Sequence, residues 1–542
     1  MEILRLARRA IGLARFALRV RGIHDSKISI ADAKRLISEG VHNRATRFLT
    51  KLEVAAYSNP KSPYLKLLMA AGYQLGDVEN LVESQGLEGT LRSLADSGVY
   101  LTYDEFKCRT PTIRGSQTFR FSPSDFDDPN MFAESYGSSG GTGGDSVETK
   151  YASETVYQFT PHWALFLAEN DCLRKPLSFW GPQSSGASSR QLACSRFNQP
   201  LGPCFVSEEL TDFTERFYHG TKRLIAERVG DFPRPESAPY GQESIVLAKV
   251  GEVLARNGGM CLNVAPSAAV RISLAAQRRG INLEDLTFLL GGEPLTQARR
   301  RAIEASGAIA RPLYGSSEAS WIGGQCSHPE HPDEVHLLED NYAVIPARPV
   351  ESHNGGPVPL LMTSLQRVTS KILLNTDIGD LAILDSRSCS CLYGQVGCSR
   401  VLHTIRSSDK ITDFGVNFAV ADVCQVLEAA LPCRVGGTAG DYQLVEERHS
   451  SGLPSYNLRI SPRLPDVDCE EVVRVFFEEL SKPRTYYAYM VNTWRRAAVF
   501  KCFVGEPLAT RAGKMLPFYR PGFAFKPSLR PNRVASKWLK RW

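Results

Sequence analysis

Two stretches decide the fold: Leu286–Leu290 (LTFLL), followed by Gly291, Gly292 and Glu293, and Ala308–Leu313 (AIARPL), followed by Tyr314, Gly315, Ser316, Ser317 and Glu318. Each is a short apolar run ending in a glycine-containing turn. Between them, Leu295–Gly307 has the apolar spacing of a helix. The pattern extends upstream: Ser244–Asn257 reads as a helix, Met260–Val264 as a short buried strand, and Ser267–Gly280 as a helix closed by a C-terminal glycine. Helices alternating with short apolar runs predict α/β layers on a mainly parallel sheet.

Further out, the character changes. From Pro359 onward strands are expected at Pro359–Ser364, Lys371–Leu374 and Leu381–Leu384. A small α+β unit is expected from about Ile405, with helices at Val420–Ala430 and Cys469–Leu480 and strands at Tyr442–Glu446 and Tyr456–Ile460. Towards the N-terminus, residues 1–110 read as mainly helical, with helices at Ser29–Glu39, Arg44–Tyr57 and Thr90–Ser97, and residues 111–135 as irregular. The expected division is therefore residues 1–110 as the helical start of a large domain, 111–404 as its core with a strand-rich part, and 405–542 as a small C-terminal domain.

The chain has 542 residues, 43% hydrophobic and 23% charged, which suits a globular protein of two or three domains with a large core. Its 13 cysteines, an odd number without a secretory signal, predict free thiols and a reducing, cytoplasmic setting. A net charge of +6 is too small for this length to argue for nucleic acid, and no apolar window is long enough for a transmembrane span. The N-terminal stretch carries Arg5, Arg8, Arg9, Arg15, Arg19 and Arg21 with Leu4, Ile11, Ala14 and Leu18 at helical spacing. It reads as a surface helix docked on its own domain; a membrane-surface helix or a transit peptide are the alternatives. The basic tail with Trp538 and Trp542 reads as loosely docked.

Four short motifs carry chemistry. The stretch GSSGGTGG at 137–144 offers Ser138, Ser139, Gly140, Gly141, Thr142, Gly143 and Gly144, a run whose backbone N–H groups and hydroxyls suit an anion; without a lysine it is not a Walker A loop. The Gly291–Glu293 and Tyr314–Glu318 motifs are read as loops at the carboxyl ends of parallel strands, where α/β sheets bind ligands. There Tyr314 offers a face to a purine, a serine can bond a phosphate oxygen, and Glu318 can hold Mg2+. Thr376–Asp380 (TDIGD) is read as a turn between two strands, with a carboxylate able to accept both hydroxyls of a ribose. Singly, each is equally an ordinary turn.

Taken in order, these motifs resemble the successive core motifs of the ANL adenylating superfamily, which includes acyl-CoA synthetases, peptide-synthetase adenylation domains and luciferases. The branch most resembled is that of phenylacetate–coenzyme A ligase, through Gly291–Leu295 (GGEPL), the cysteine soon after Glu318 and a later Cys-x-Cys; the resemblance spans roughly residues 40–520. It implies a large adenylating domain and a small mobile C-terminal domain. The implied activity is ATP-dependent conversion of a carboxylic acid to acyl-AMP, then transfer to a thiol, coenzyme A or a carrier-protein phosphopantetheine. Amide or ester formation is the alternative chemistry, and a non-catalytic scaffold the alternative of another kind.

By position, the resemblance implies that Ser138–Gly144 closes over the β,γ-phosphates, that Gly291, Gly292, Glu293 and Tyr314 flank adenine, with Gly315 and Ser316 in the same motif, and that Ser317 meets the α-phosphate. Glu318 would bind Mg2+ and Asp380 the ribose. Arg406, Ser408, Asp409 and Gly415–Asn417 match the hinge and first loop of the mobile domain, and Lys514 matches the lysine that contacts the α-phosphate and the attacking carboxylate. The chain departs from the pattern in four places: the first loop lacks a Pro-Lys ending, Asp377 and Ile378 replace an Arg and a Thr, Ser408 replaces the first hinge aspartate, and the residues after Lys514 are atypical.

Two further features stand apart. Cys326, Cys389 and Cys391 with a histidine would make a four-ligand set of the structural zinc kind; free cysteines near unrelated histidines are the plain alternative. The segment Val335–Asp340 (VHLLED) resembles the one that supplies the histidine in zinc-binding relatives of phenylacetate–coenzyme A ligase, which implies His336, with His331 and His328 remaining open. Arg271 lies in the region that lines the acid pocket in relatives, where it would pair a second substrate charge or else be a surface arginine.

Overall fold

The structure is a computed structural model that describes residues 2–138, 148–181, 187–207, 213–239, 242–347, 356–407, 410–413, 416–448, 453–464, 467–482, 487–497, 499–508 and 516–520. At its centre lies one twelve-stranded sheet. Half of it is parallel: Ile309–Ser316, Leu286–Leu290, Met260–Val264, Leu177–Gly181, Leu201–Val206 and Pro235–Ser237 run in that order. From the other edge of Ile309–Ser316 the sheet continues antiparallel through Ser320–Gly324, Val335–Leu337, Arg400–Ser407, Thr376–Ser386, Val358–Ser364 and Tyr342–Pro346.

The parallel half follows from composition. All five residues of Met260–Val264 and of Leu286–Leu290 are buried, because helices cover both faces and every side chain must be apolar or satisfied. The helix expected at Ser244–Asn257 runs Glu243–Asn257 and ends at Gly258, whose φ of 64° is left-handed. The next helix runs Pro266–Arg278, and the following one starts late, at Gln297, because Thr296 caps it by accepting from the Arg299 N–H.

Several expectations need correction. Tyr314–Ser316 is not a loop: it extends the strand Ile309–Ser316, which bulges between Tyr314 and Gly315 and pairs back onto Ser320–Gly324. Gly315 is required there, since a Cβ would meet Ser320 O at 2.4 Å. Thr376–Asp380 likewise begins a long strand, Thr376–Ser386. Lys371–Leu374 forms no strand; it is buried, with Ile372 N donating to Phe126 O and Leu373 N to the Ser364 hydroxyl. Thr90–Ser97 is the end of a helix, Leu75–Asp96, that breaks at Gly86.

The N-terminal helix, Glu2–Asp25, docks through Phe16, Val20 and Ile23 and leaves Leu18 84% exposed. No helix among the described residues is long and apolar enough to cross a membrane. Beyond Ser407, where the large sheet ends, a second sheet orders Phe500–Val504, Pro454–Ile460, Tyr442–Arg448 and Phe518–Tyr519, backed by helices Cys469–Ser481 and Tyr487–Ala497. Phe418, Tyr456 and Trp494 stack in its core.

Candidate active site

The sheet changes from parallel to antiparallel at Ile309–Ser316, and the side chains singled out in the sequence gather at the end of that strand. The Tyr314 hydroxyl donates to Asp380 Oδ2 at 3.0 Å, bridging two strands. Burial, then the Asp380 charge, pushes the Tyr314 hydroxyl well above its usual pKa, so it stays a donor. The turn that presents Asp380 is built by the departure residue Asp377, whose Oδ1 accepts the Gly379 N–H at 2.7 Å. Gly379 holds φ at 88° against the ring of Tyr103, which a Cβ would approach to 2.7 Å. Asp377 thus shapes the aspartate turn from within.

Two positions later than Ser316, whose hydroxyl accepts the Ala319 N–H at 3.1 Å, the chain delivers Glu318. Its Oε1 accepts from Lys107 Nζ at 2.5 Å, and the two side chains are 4% and 5% exposed. Lys107 follows the short helix Tyr103–Phe106, capped by Thr102. Tyr103 of the same turn packs against Gly379, so one short helix braces both the aspartate turn and the glutamate. Ser317, between them, is half-buried. Glu318 also borders a cleft with Lys150, Tyr151, Thr155 and Phe159. Tyr151 comes from the hairpin of Ser135–Ser138 and Glu148–Tyr151, which carries the backbone of Ser138; Ser139, Gly140, Gly141, Thr142, Gly143 and Gly144 lie outside the described residues.

Glu293 has a different task from the one expected. Its carboxylate accepts from the Ser267 N–H at 3.0 Å, the Ser267 hydroxyl at 2.8 Å and Arg299 Nη1 at 2.9 Å, and its side chain is fully enclosed. It caps the helix Pro266–Arg278. Arg406 donates to Asp333 Oδ2 at 2.8 Å, and Asp333 also accepts the N–H groups of Thr404 and Ile405, so the end of the large sheet is pinned. Ser408, Asp409, Gly415 and Lys514 lie outside the described residues. Arg271 Nε pairs with Glu243 at 2.5 Å and its Nη1 donates to Ala497 O at 3.0 Å.

A second constellation forms across the antiparallel half. Potential ligand atoms of Cys326, His336, Cys389 and Cys391 all lie within 4.8 Å of one another. Cys326 and Cys389 sulfurs are 4.0 Å apart, and Cys391 Sγ is 3.5 Å from His336 Nε2. The Cys391 thiol, which donates to Cys326, and the neighbouring His336 lower the Cys326 thiol below its usual pKa. The His336 ring stacks on Tyr393 at 5.2 Å, which fixes its plane. His331 stacks instead on His403 and His328 bonds Ser327, so neither joins the cluster. The residues fit a thiolate-rich metal ion by donor type and spacing.

No protein-family model matches the sequence, and no curated protein sequence matches it. Among solved structures, 2-hydroxyisobutyryl-CoA ligase in complex with 2-HIB-AMP and CoA aligns over 92% of this chain and 91% of its own, at 13% identity and a TM-score of 0.51. The chain shares the overall fold of that ligase. An o-succinylbenzoate CoA synthetase from Bacillus subtilis (13% identity, 71% of this chain and 68% of that one, TM-score 0.43) also aligns. So does the amide bond synthetase McbA from Marinactinospora thermotolerans (14% identity, 74% and 70%, TM-score 0.40). Both scores are too low to bear on the fold. The likeness is one of fold, while the chemistry rests on side chains.

Two groups at this site carry no signal in the sequence. Lys107 reaches Glu318 across 211 residues of chain and Arg190 reaches Asn263 across 73, from stretches that match no motif.

Proposed function

We propose that the chain uses ATP to convert a carboxylic acid to acyl-AMP and passes the acyl group to a thiol, coenzyme A or a carrier-protein phosphopantetheine. The observation that carries this is the convergence of Tyr314, Asp380 and Glu318 at the carboxyl end of the strand where the sheet changes direction, the position at which open α/β sheets take ligands. Asp380, held by Tyr314, accepts the ribose hydroxyls; the Tyr314 ring and Gly291–Gly292 flank the base; Ser317 and Ser316 face the α-phosphate.

The acid lies in the cleft of Tyr151, Thr155 and Phe159 beside Glu318, and its carboxylate attacks the α-phosphorus in line as pyrophosphate leaves. Charge neutralisation and positioning do most of the catalytic work. Glu318, whose oxygens also meet Lys107, would hold Mg2+, which would supply charge neutralisation at the phosphates when bound with the nucleotide. Ser138–Gly144 encloses the outer phosphates, and Lys514 contacts the α-phosphate during the first half-reaction. Cys326, His336, Cys389 and Cys391 would hold a structural zinc ion, which would tie the segment after Ser320–Gly324 to the turn before Arg400–Ser407. The substrate is an aryl or acyl carboxylic acid, and the setting proposed is cytoplasmic.

The test is acid-dependent exchange of pyrophosphate into ATP over aryl, alkyl and amino acids. One or more acids should support exchange; a folded protein that supports none with any acid would make the chain a scaffold. Product analysis with coenzyme A, phosphopantetheine carriers and amines then separates thioester from amide formation.

A further inference from the structure

The helix Glu2–Asp25 carries two apolar stripes on different sides. One, of Phe16, Val20 and Ile23, is buried against the domain. Its footing is close: a Cβ on Gly12 would collide with Glu134 O, and the Arg9 guanidinium lies over the Tyr218 ring at 5.7 Å. The other stripe, Ile11, Ala14 and Leu18, is the one whose spacing marks the helix in the sequence, and it points away from the protein. Ile11 is 56% exposed, Leu18 84%, and Ala14 is exposed with them. Phe132, 54% exposed, widens the stripe, since the Arg15 guanidinium lies over its ring at 4.8 Å.

The arginines are sorted between the two sides. Arg19 turns back to the domain, with Nη1 2.6 Å from Glu154 Oε1 and 3.6 Å from Glu134 Oε1. At about 3.6 residues per turn, Ile11 and Leu18 share one line, with Arg8 and Arg15 on one flank and Arg21 on the other. Arg8 and Arg21 are exposed, and Arg21 has only the solvated Asp25, 3.9 Å away. Between Glu2 and Asp25 the helix has no acidic residue at all. An outward aliphatic line with cations along both flanks is the composition of a helix that lies in a bilayer surface.

Charge decides among the occupants. A second copy seated on this face across a two-fold axis would set Arg8, Arg15 and Arg21 against their own equivalents. The stretch 521–542 of this chain is itself basic, with Lys526, Arg530, Arg533, Lys537, Lys540 and Arg541 and no acid, so it does not complement the face either. Peptide recognition uses a groove or a sheet edge, whereas this is the convex outer side of one helix. A fluid layer of anionic headgroups needs no matching shape.

We propose that this face seats the protein on an anionic lipid bilayer, with Ile11, Leu18 and Phe132 entering the headgroup layer and Arg8, Arg15 and Arg21 meeting the lipid phosphates. Nothing in it depends on the reaction proposed above. The helix stays folded on its domain through Phe16, Val20 and Ile23 while its other side meets the membrane, so the attachment is peripheral and reversible.

The probes are vesicles of phosphatidylcholine alone and of phosphatidylcholine mixed with phosphatidylserine, sedimented with the full chain. Partition onto the anionic vesicles should exceed that onto the neutral ones by about tenfold or more. It should weaken as salt rises, because exposed charges are screened beyond about 10 Å at 0.1 M. Ile11→Gln with Leu18→Gln should lose most of the binding, and Arg8→Gln, Arg15→Gln and Arg21→Gln together should erase the preference for anionic lipid. Unchanged thermal unfolding of both variants excludes a folding defect, and if one set unfolds the other decides. No binding by the native protein overturns the proposal. So does binding that survives both sets of changes, which would place the contact elsewhere on the chain. Loss in the arginine set alone overturns the seating of Ile11 and Leu18. A native dimer in sedimentation velocity that Leu18→Gln splits would give the face to a second copy and overturn it too.

Discussion

Lys107 Nζ sits 2.5 Å from Glu318 Oε1 with both side chains enclosed, so the carboxylate at the strand end already has a resident cation. Removing one member of such a pair strands the other charge, at about 3–5 kcal/mol. Lys107→Met should therefore lower the thermal unfolding midpoint clearly, and adding Glu318→Gln should recover part of the loss. Additive losses in the double variant would mean that the two side chains are not coupled.

Glu318→Gln alone keeps the shape and a hydrogen-bonding oxygen while removing the charge. We expect pyrophosphate exchange to fall by about 100-fold or more, as when a preorganised electrostatic contact to the transition state is lost. Near-native exchange in the folded variant would remove Glu318 from the mechanism.

The Tyr314–Asp380 bond separates binding from chemistry. Asp380→Ala should raise the KM for ATP by about tenfold or more, since bonds to a charged acceptor contribute about 1.5–3 kcal/mol each. Tyr314→Phe should raise it less. The Tyr314 hydroxyl has a raised pKa in the fold, so the folded state holds its proton more tightly than the unfolded chain does. Its contribution to stability is complete below the unfolded value near 10 and fades as pH rises above it. Unfolding midpoints between about pH 8 and 11 should thus fall more steeply for the native protein than for Tyr314→Phe.

Metal analysis of purified protein should find one zinc per chain, lost in the Cys389→Ser, Cys391→Ser double variant and retained in His331→Ala and His328→Ala. His336→Ala should weaken retention. Zinc that survives the double cysteine change would place it elsewhere.

The sequence made the parallel strands legible because Met260–Val264 and Leu286–Leu290 are covered on both faces and must be apolar throughout. It misled at Lys371–Leu374, equally apolar, because burial there comes without a ladder: its backbone bonds to Phe126 O and the Ser364 hydroxyl. Tyr314–Ser316 reads as a loop since its glycine and serines are turn residues, yet Gly315 is there to let a neighbouring strand approach. Of the three histidines that the sequence left open, His336 lies with the cysteines, and only ring stacking and distance show it. Glu293 carries the right motif but spends its carboxylate on a helix start. Lys107 and Arg190 depend on contacts between remote segments, which no local pattern encodes.

Arg271 has the form of a mechanical detent. Its guanidinium rests on Glu243 and reaches with another nitrogen to Ala497 O, at the end of a helix in the C-terminal part. Any swing of that part away from the arginine would have to let go of the carbonyl, while the arginine kept its glutamate, so that no bare charge would be left behind by the parting.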